Sequence, residues 1–139
     1  MTALPLQRFV AAQDVCLDEA MAELKAGKKV SHWIWFVFPQ HKALGRSNTA
    51  IHYGIADLEE ARQYLRHPIL GPRLKECVQL VLLHPQRTPY AIFGSPDDMK
   101  FRSCLTLFMQ AAPDEPVFKQ ALDTFYRGQP DEMTLGLLA

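Results

Sequence analysis

Four aromatic side chains stand close together in the first third of the chain and are followed by a proline and a glutamine. They are Trp33, Trp35, Phe36 and Phe38, with Gln40 just beyond. Flat apolar faces beside an amide suit a nucleobase or another planar ligand, and a small domain also uses such side chains as core. If the segment is helical, Trp33 and Trp35 lie on the opposite side from Phe36 and Phe38. One of the two pairs then lines a cleft.

A carboxylate, a phenol and an imidazole follow at helical spacing. Glu60, Tyr64 and His67 stand at positions i, i+4 and i+7, so a helix places them on one face. A carboxylate and an imidazole in one place could act as acid and base. The structural alternative is a glutamate that accepts a hydrogen bond from a hydroxyl or an amide, and a histidine that caps a helix end before Pro68.

A third group of polar residues follows a predicted helix start at Ser95. Its members are Lys100, Arg102, Ser103 and Thr106. First-turn amides and two cations create a positive field that suits a phosphate or a carboxylate. Ser103 and Thr106 are expected on the face away from the apolar stripe. Asp97 and Asp98 already supply negative charge at this helix start, so neutralisation of these acids by the cations is the alternative.

A short turn adds one more candidate residue, and several common catalytic and nucleotide-binding motifs are absent from the sequence. Ser47 lies in Gly45-Arg46-Ser47-Asn48, whose amides and hydroxyl form a weak phosphate motif. The sequence has no GxSxG, HExxH, GxxxxGK[ST] or GxGxxG pattern, so serine hydrolase, zinc protease, P-loop and Rossmann functions lose support. Three cysteines without a CxxC pair indicate neither a disulfide framework nor a zinc site. We expect no metal and no cofactor.

Composition and charge predict one globular domain over residues 1–139. The chain is 48% hydrophobic and 22% charged, and its formal net charge is zero. Nonspecific binding to duplex nucleic acid is therefore disfavoured. The longest apolar run, residues 33–38, is too short to span a bilayer, and the first ten residues do not resemble a signal peptide. We expect a cytoplasmic protein without a membrane segment.

Helical periodicity dominates the chain, and sustained alternation typical of strands is absent from the sequence. Helices are predicted over 14–26 with Gly27 as a stop, from a cap at Asp57 to near His67, over 69–83, from an N-cap at Ser95 with Pro96 at the first position to Pro113, over 114–127, and for a last turn or two capped by Asp131. Residues 33–38 fit either a buried strand or a tight helical turn. The pattern predicts an all-α or mostly α domain of six or seven short helices.

Several long motifs run along almost the whole chain. They are His32-Trp33-Ile34-Trp35-Phe36-Val37-Phe38-Pro39-Gln40, Gly45-x-Ser47, Glu59-Glu60-Ala61-x-x-Tyr64-Leu65-x-His67-Pro68-x-Leu70-Gly71, Ile92-Phe93-Gly94, Asp97-x-Met99-Lys100-x-Arg102-Ser103-x-Leu105-Thr106, and Phe125-x-x-Gly128-x-x-Asp131-x-x-Thr134-Leu135. On these motifs the chain resembles the bacterial eighteen-ten family of domains of unknown function, whose members are sometimes mislabelled calpastatin. The resemblance implies a mostly helical cytoplasmic domain with no established activity.

A weaker resemblance is to the NADAR superfamily of small helical proteins, which is linked to NAD, ADP-ribose and N-glycoside chemistry. It is carried by an EA-x-x-L helix followed by a His-Pro break and by a Met-Lys helix. This resemblance implies a site among the aromatic segment, the Glu59-Glu60 helix and the Lys100 helix.

Together these residues suggest a pocket for a nucleotide-like or ADP-ribose-like ligand, with hydrolysis of an N-glycosidic bond. Glu60 would stabilise an oxocarbenium-like transition state or activate water. Lys100 and Arg102 would hold the anionic end, and Trp33, Trp35 and Gln40 would receive the planar group. The alternative is a noncatalytic protein-interaction module. The two hypotheses differ in whether the fold brings Glu60, Gln40 and Lys100 to one place.

Overall fold

The computed structural model describes residues 5–139, which form nine α-helices around one core. The helices are α1 Gln7–Ala26, α2 Ile34–Val37, α3 Asn48–His52, α4 Leu58–Arg66, α5 Leu70–Val81, α6 Pro89–Phe93, α7 Asp97–Ala111, α8 Pro116–Tyr126 and α9 Glu132–Leu138. A single 3-10 turn, Lys42–Leu44, precedes α3. The described residues contain no strand, and one isolated bridge pairs His41 with Ile55. The predicted mostly α fold is confirmed.

Local capping explains where several of these helices begin and end. The Asp57 carboxylate accepts the Glu60 amide at 2.8 Å at the start of α4, and Asp131 accepts the Thr134 amide at 3.0 Å at the start of α9. Gly27 ends α1 with a φ of +82°, a left-handed conformation that favours glycine. These three predictions are confirmed because each depends on residues within a few positions of one another.

The predicted N-cap at Ser95 is wrong. Helix α7 begins at Asp97, its capping position is Pro96, and no side chain caps it. The Gly94 carbonyl accepts the Asp98 amide at 2.9 Å, and the Pro96 carbonyl accepts the next amide at 3.0 Å. The Gly94 carbonyl therefore satisfies the Asp98 amide, which an N-cap at Ser95 would have been in position to accept.

Substitution of Asp57 and of Ser95 gives a direct test of capping. Asp57→Ala is expected to lower the free energy of unfolding by about 1 kcal/mol, because the first turn of α4 loses its side-chain acceptor. Ser95→Ala is expected to change it by less than about 0.5 kcal/mol, as is usual for surface positions without a cap. Urea unfolding of both variants measures the difference. A larger loss for Ser95→Ala than for Asp57→Ala would contradict this assignment.

The predicted helix count was too low, and one predicted boundary was too late. Helix α1 begins at Gln7, well before the predicted start at position 14, and the helices α3 and α6 were missed. Each of these two helices has five residues, which is too short to show a helical period in the sequence. The ambiguous aromatic segment forms α2, a single helical turn of four residues.

Helix α7 lies at the centre of the fold and connects both ends of the core. Near its start, the rings of Phe101 and Phe38 are 4.8 Å apart between centroids. Near its end, the Phe108 ring lies 5.2 Å from Tyr64 of α4 and 5.8 Å from Phe118 of α8. The N-terminal part of α7 therefore reaches the aromatic segment around α2.

Candidate functional site

The burial of the four aromatic side chains of residues 33–38 differs from the predicted helical pattern. Trp33 and Phe38 are both 1% exposed and their rings lie 6.2 Å apart, whereas Trp35 and Phe36 are half-buried. The expectation that Trp33 and Trp35 share one side, opposite Phe36 and Phe38, is wrong. Only residues 34–37 are helical, so the flanking Trp33 and Phe38 do not follow the helical rotation. Trp35 remains the tryptophan that is not enclosed in the core.

Two lysines meet at the first turn of α7 beside the tryptophans. The Lys100 Nζ lies 4.5 Å from the centre of the Trp35 ring and 3.2 Å from Asp97 Oδ1. The Lys29 Nζ lies 2.8 Å from Asp97 Oδ2 and 5.2 Å from the Trp33 ring. We refer to Lys29, Trp35, Asp97 and Lys100 as the lysine–tryptophan cluster.

The cluster combines an excess positive charge with an unused buried donor. Two ammonium groups share the single Asp97 carboxylate, and the exposed fractions of the three side chains are 6% for Lys29, 17% for Asp97 and 22% for Lys100. The Trp35 Nε1–H is buried and has no hydrogen-bond acceptor among residues 5–139. Buried donors without acceptors are rare in folded proteins, and an electrostatic contact is stronger away from water.

The carboxylate of Glu23 in α1 positions the loop that carries Lys29. Glu23 Oε1 accepts the Trp33 indole N–H at 2.9 Å and the amides of Val30 and Ser31 at 2.8 and 2.9 Å. Burial by itself raises the pKa of Glu23, but these hydrogen bonds outweigh it and lower the pKa to about 2. Glu23 therefore holds Trp33 and the loop before α2 as an ionised acceptor.

The carboxylate of Glu60 lies in a different buried network. Glu60 Oε1 accepts the Ala56 amide at 2.8 Å and lies 3.6 Å from Arg8 Nη2, and the two side chains are 5% and 8% exposed. Arg8 also donates to the carbonyls of His52 at 2.8 Å and Gly54 at 3.0 Å. Burial lowers the pKa of Arg8, and the Glu60 charge opposes that effect. This network ties α1 and α4 to the segment between α3 and α4.

Gln40 reaches the same segment from the other side. Its carbonyl accepts the Ile55 amide at 2.9 Å, and the Ile55 carbonyl accepts the Lys42 amide at 2.8 Å. Since Ala56 is the residue that donates to Glu60, residues 55 and 56 bring Gln40 and Glu60 to one short stretch of chain. Gln40 is 6% exposed.

Tyr64 and His67 lie in structural positions. Tyr64 is fully buried, and its hydroxyl accepts a hydrogen bond from Gln13 Nε2 at 3.0 Å. Burial raises the pKa of this phenol. The His67 Nδ1 accepts the amides of Ile69 and Leu70 at 3.1 and 3.3 Å, so the ring caps the start of α5. The structure therefore places Glu60, Tyr64 and His67 along α4 without a contact that joins them as acid and base.

Ser103 and Thr106 lie on a buried face of α7, and the expectation of an outward-facing position is wrong. They are 6% and 0% exposed. The Ser103 hydroxyl donates to the Met99 carbonyl at 3.1 Å. The Thr106 hydroxyl donates to the Arg102 carbonyl at 2.9 Å and accepts the Asp131 amide at 2.8 Å. The chain that leads into α9 covers this face, which the periodicity of α7 alone does not reveal.

The other two predicted ligand-binding residues are also engaged elsewhere. The Arg102 Nε donates to the Gln129 carbonyl at 2.9 Å, and its guanidinium lies 5.6 Å from the Tyr126 ring. The Ser47 hydroxyl accepts the Ala50 amide at 3.1 Å and caps α3. Of the residues predicted from the sequence, the structure therefore brings Trp35 into contact with Lys100, and it places Gln40 and Glu60 against the successive residues Ile55 and Ala56.

Two members of the cluster were not predicted as ligand-binding residues. Lys29 lies between α1 and α2 and has no motif that distinguishes it from other lysines of the chain. Asp97 was interpreted only as a charge at a helix start. Their relation to Lys100 depends on how the loop after α1 packs against α7, which is a tertiary contact.

Other possible sites lie away from the cluster. A shallow depression of about 470 Å³ is lined by residues between Pro113 and Thr124, including Lys119 and Asp123. In the described range 5–139, no group of three or more histidine, cysteine, aspartate and glutamate residues is arranged to hold a metal ion. Within the same range, no helix has the length and apolar character needed to cross a membrane.

Residues 5–139 form a helical domain with a cluster of charged and aromatic side chains at the start of its central helix. A family model described as "Protein of unknown function (DUF1810)" matches residues 3–138. The chain therefore belongs to this family, the eighteen-ten family that its motifs resemble. None of the curated proteins compared with the chain matches it.

A solved structure with the same fold is the conserved hypothetical protein Rv1873 from Mycobacterium tuberculosis. It is 47% identical to this chain, the match covers 96% of this chain and 95% of that protein, and the TM-score is 0.94. The resemblance to the NADAR superfamily gains no support from these comparisons. Family and fold are thus shown, and neither name carries an activity.

Proposed function

We propose that this protein binds a small anionic ligand with a planar, nucleotide-like group at the lysine–tryptophan cluster. The observation that carries the proposal is the Trp35 indole N–H, which is buried without an acceptor while the Lys100 ammonium lies 4.5 Å from the same ring. A ligand with an acceptor and a negative charge would satisfy both groups together. Planar ligands are commonly bound by aromatic side chains with a few convergent polar groups.

The charge and burial of the cluster support an anion rather than a neutral ligand. Lys29 and Lys100 face one carboxylate, so these three side chains carry one excess positive charge. All three are at least three-quarters buried, and a charge is attracted more strongly there than at an open surface. The zero net charge of the whole chain does not oppose this local field.

Hydrolysis of an N-glycosidic bond by Glu60 is the second part of the proposal, and the geometry supports it less. A carboxylate can stabilise an oxocarbenium-like transition state, and the Glu60 carboxylate is held in place by Arg8, whose Nη2 lies 3.6 Å from Glu60 Oε1. However, Glu60 contacts Ala56 and Arg8 of α1, and no described contact joins it to Lys100. A substrate would have to extend from the cluster to the buried Gln40 segment.

A protein-interaction module is the alternative function, and exposed apolar side chains near the cluster favour it. Val30 is 73% exposed and Tyr90 is 66% exposed. The Lys29 amide donates to the Ile92 carbonyl, which brings the loop that holds Val30 next to α6, the helix that holds Tyr90. These side chains would contact a partner protein.

Thermal unfolding with added nucleotides tests the binding proposal. ADP-ribose, NAD or a nucleoside phosphate is expected to raise the Tm at low salt, because a ligand that binds only the native state stabilises it by mass action. The shift is expected to decrease as salt is added. Lys100→Gln is expected to remove most of the shift, since the ammonium over Trp35 is lost.

The matched control is Lys119→Gln on α8. Lys119 is 70% exposed, pairs with Asp123 at 2.9 Å and carries the same charge as Lys100. We expect this variant to keep the ligand-induced shift of the wild type. If the panel gives no shift, or if both lysine variants lose it equally, the binding proposal is wrong and the interaction module becomes the better hypothesis.

A further inference from the structure

Asp97 occupies the centre of the lysine–tryptophan cluster. Its Oδ1 lies 3.2 Å from Lys100 and its Oδ2 lies 2.8 Å from Lys29, so each carboxylate oxygen holds one ammonium group. The Lys29 side chain is 6% exposed, and a lysine that is buried to this extent needs an anionic partner. Asp97 is therefore fixed between the two cations and is not an incidental charge at the start of α7.

This arrangement limits how much negative charge the cluster can accept. Within the lysine–tryptophan cluster the two lysines and Asp97 sum to one positive charge. The neighbouring carboxylates of Glu23 and Asp98 are outside this sum, because they accept hydrogen bonds from Trp33 and from backbone amides and pair with neither lysine. The phosphate of a phosphodiester carries one negative charge. A terminal phosphate monoester carries nearly two at neutral pH, because its second pKa is about 6.

We infer that Asp97 is a specificity-determining residue that selects ligands whose phosphate carries a single negative charge. The inference rests on the proposed function and names its ligand class, phosphodiesters. A singly charged phosphate neutralises the cluster. A doubly charged phosphate leaves an unbalanced negative charge next to the Asp97 carboxylate, where burial strengthens the repulsion.

Two adenosine phosphates that differ in charge test this inference. Isothermal titration calorimetry at about pH 8 compares cyclic adenosine monophosphate, a phosphodiester, with the open 5′-monophosphate, whose phosphate is doubly charged at that pH. Wild-type protein is expected to bind the cyclic nucleotide at least about tenfold more tightly, since like charges at an interface oppose binding. Asp97→Asn is expected to reduce this preference about tenfold or reverse it, because the cluster then carries two positive charges.

Asp98→Asn is the matched control. Asp98 lies in the same first turn of α7, and its Oδ1 accepts the Met99 amide at 2.9 Å instead of a lysine. The substitution changes the protein charge by the same amount, and we expect it to keep the wild-type preference. An equal change in preference for both variants would show an effect of overall charge and would overturn the role of Asp97.

The wild-type measurement keeps the inference testable if Asp97→Asn does not fold after Lys29 loses its partner. Wild-type protein that binds both nucleotides with equal affinity, or prefers the monophosphate, overturns the inference and leaves the proposed function standing. If the wild type binds neither nucleotide nor any member of the panel above, the proposed function is wrong and the inference fails with it.

Discussion

Phe108→Ala is expected to lower the free energy of unfolding by about 3–5 kcal/mol, because it removes a large side chain from the centre of the core. Phe108 is fully buried, and its ring lies 5.2 Å from Tyr64 and 5.8 Å from Phe118. The substitution leaves a cavity between α4, α7 and α8 that these neighbours fill only in part. Equilibrium unfolding in urea, followed by helical circular dichroism, measures the loss.

Met99→Ala in the same helix is the control for this prediction. Met99 lies in α7 but is 46% exposed, so its truncation removes little buried surface. We expect a loss below about 1 kcal/mol, as for most substitutions outside the core. A loss for Met99→Ala as large as that for Phe108→Ala would mean that the register of α7 is wrong.

Glu60→Gln is expected to lower the free energy of unfolding by about 3 kcal/mol, the low end of the range for removing one partner of a buried ion pair. The amide keeps the shape of the side chain and can still accept the Ala56 N–H, but it loses the attraction to Arg8. The loss stays at the low end because Arg8 retains its hydrogen bonds to the carbonyls of His52 and Gly54. Urea unfolding again measures the effect.

The neighbouring Glu59 provides the control, with the same chemical change in an exposed ion pair. Glu59 is 57% exposed and lies 3.8 Å from Arg66, so Glu59→Gln is expected to cost less than about 0.5 kcal/mol. A stable Glu60→Gln variant that binds nucleotide but hydrolyses none, when the wild type does hydrolyse it, would favour the catalytic role. Equal small losses for both variants would contradict the structural role of Glu60.

The helical class, several helix ends and the family were predictable from the sequence alone. Asp57, Asp131 and Gly27 act on amides and carbonyls within a few residues, so their effects are readable along the chain. The apolar stripe of α7 was predicted from helical periodicity, which is also a local property of the sequence. Long motifs around residues 32–40 and 97–106 identified the family without any knowledge of the fold.

The candidate site was only partly predictable. The aromatic segment and Lys100 were selected from their residue types, and the structure brings Trp35 and Lys100 together. The sequence did not show that Trp33 lies in the core while Trp35 is half-buried. Helix α2 contains only residues 34–37, so Trp33 lies outside the helix and its direction does not follow from helical periodicity. Ser103 and Thr106 were placed on the wrong side of α7 because a helical wheel does not show that the segment before α9 covers them.

The packing of the helices was needed to show that Lys29, Asp97 and Lys100 form one cluster and that Glu60 lies against Arg8. Lys29 and Arg8 reach these positions because the loop after α1 and the start of α1 pack against elements far along the chain. The position of a charged residue in the sequence does not show which residue it pairs with. A lysine or arginine also looks the same in the sequence whether it is exposed or buried. Their partners depend on burial, which removes water as the competing partner and exists only after the helices have packed.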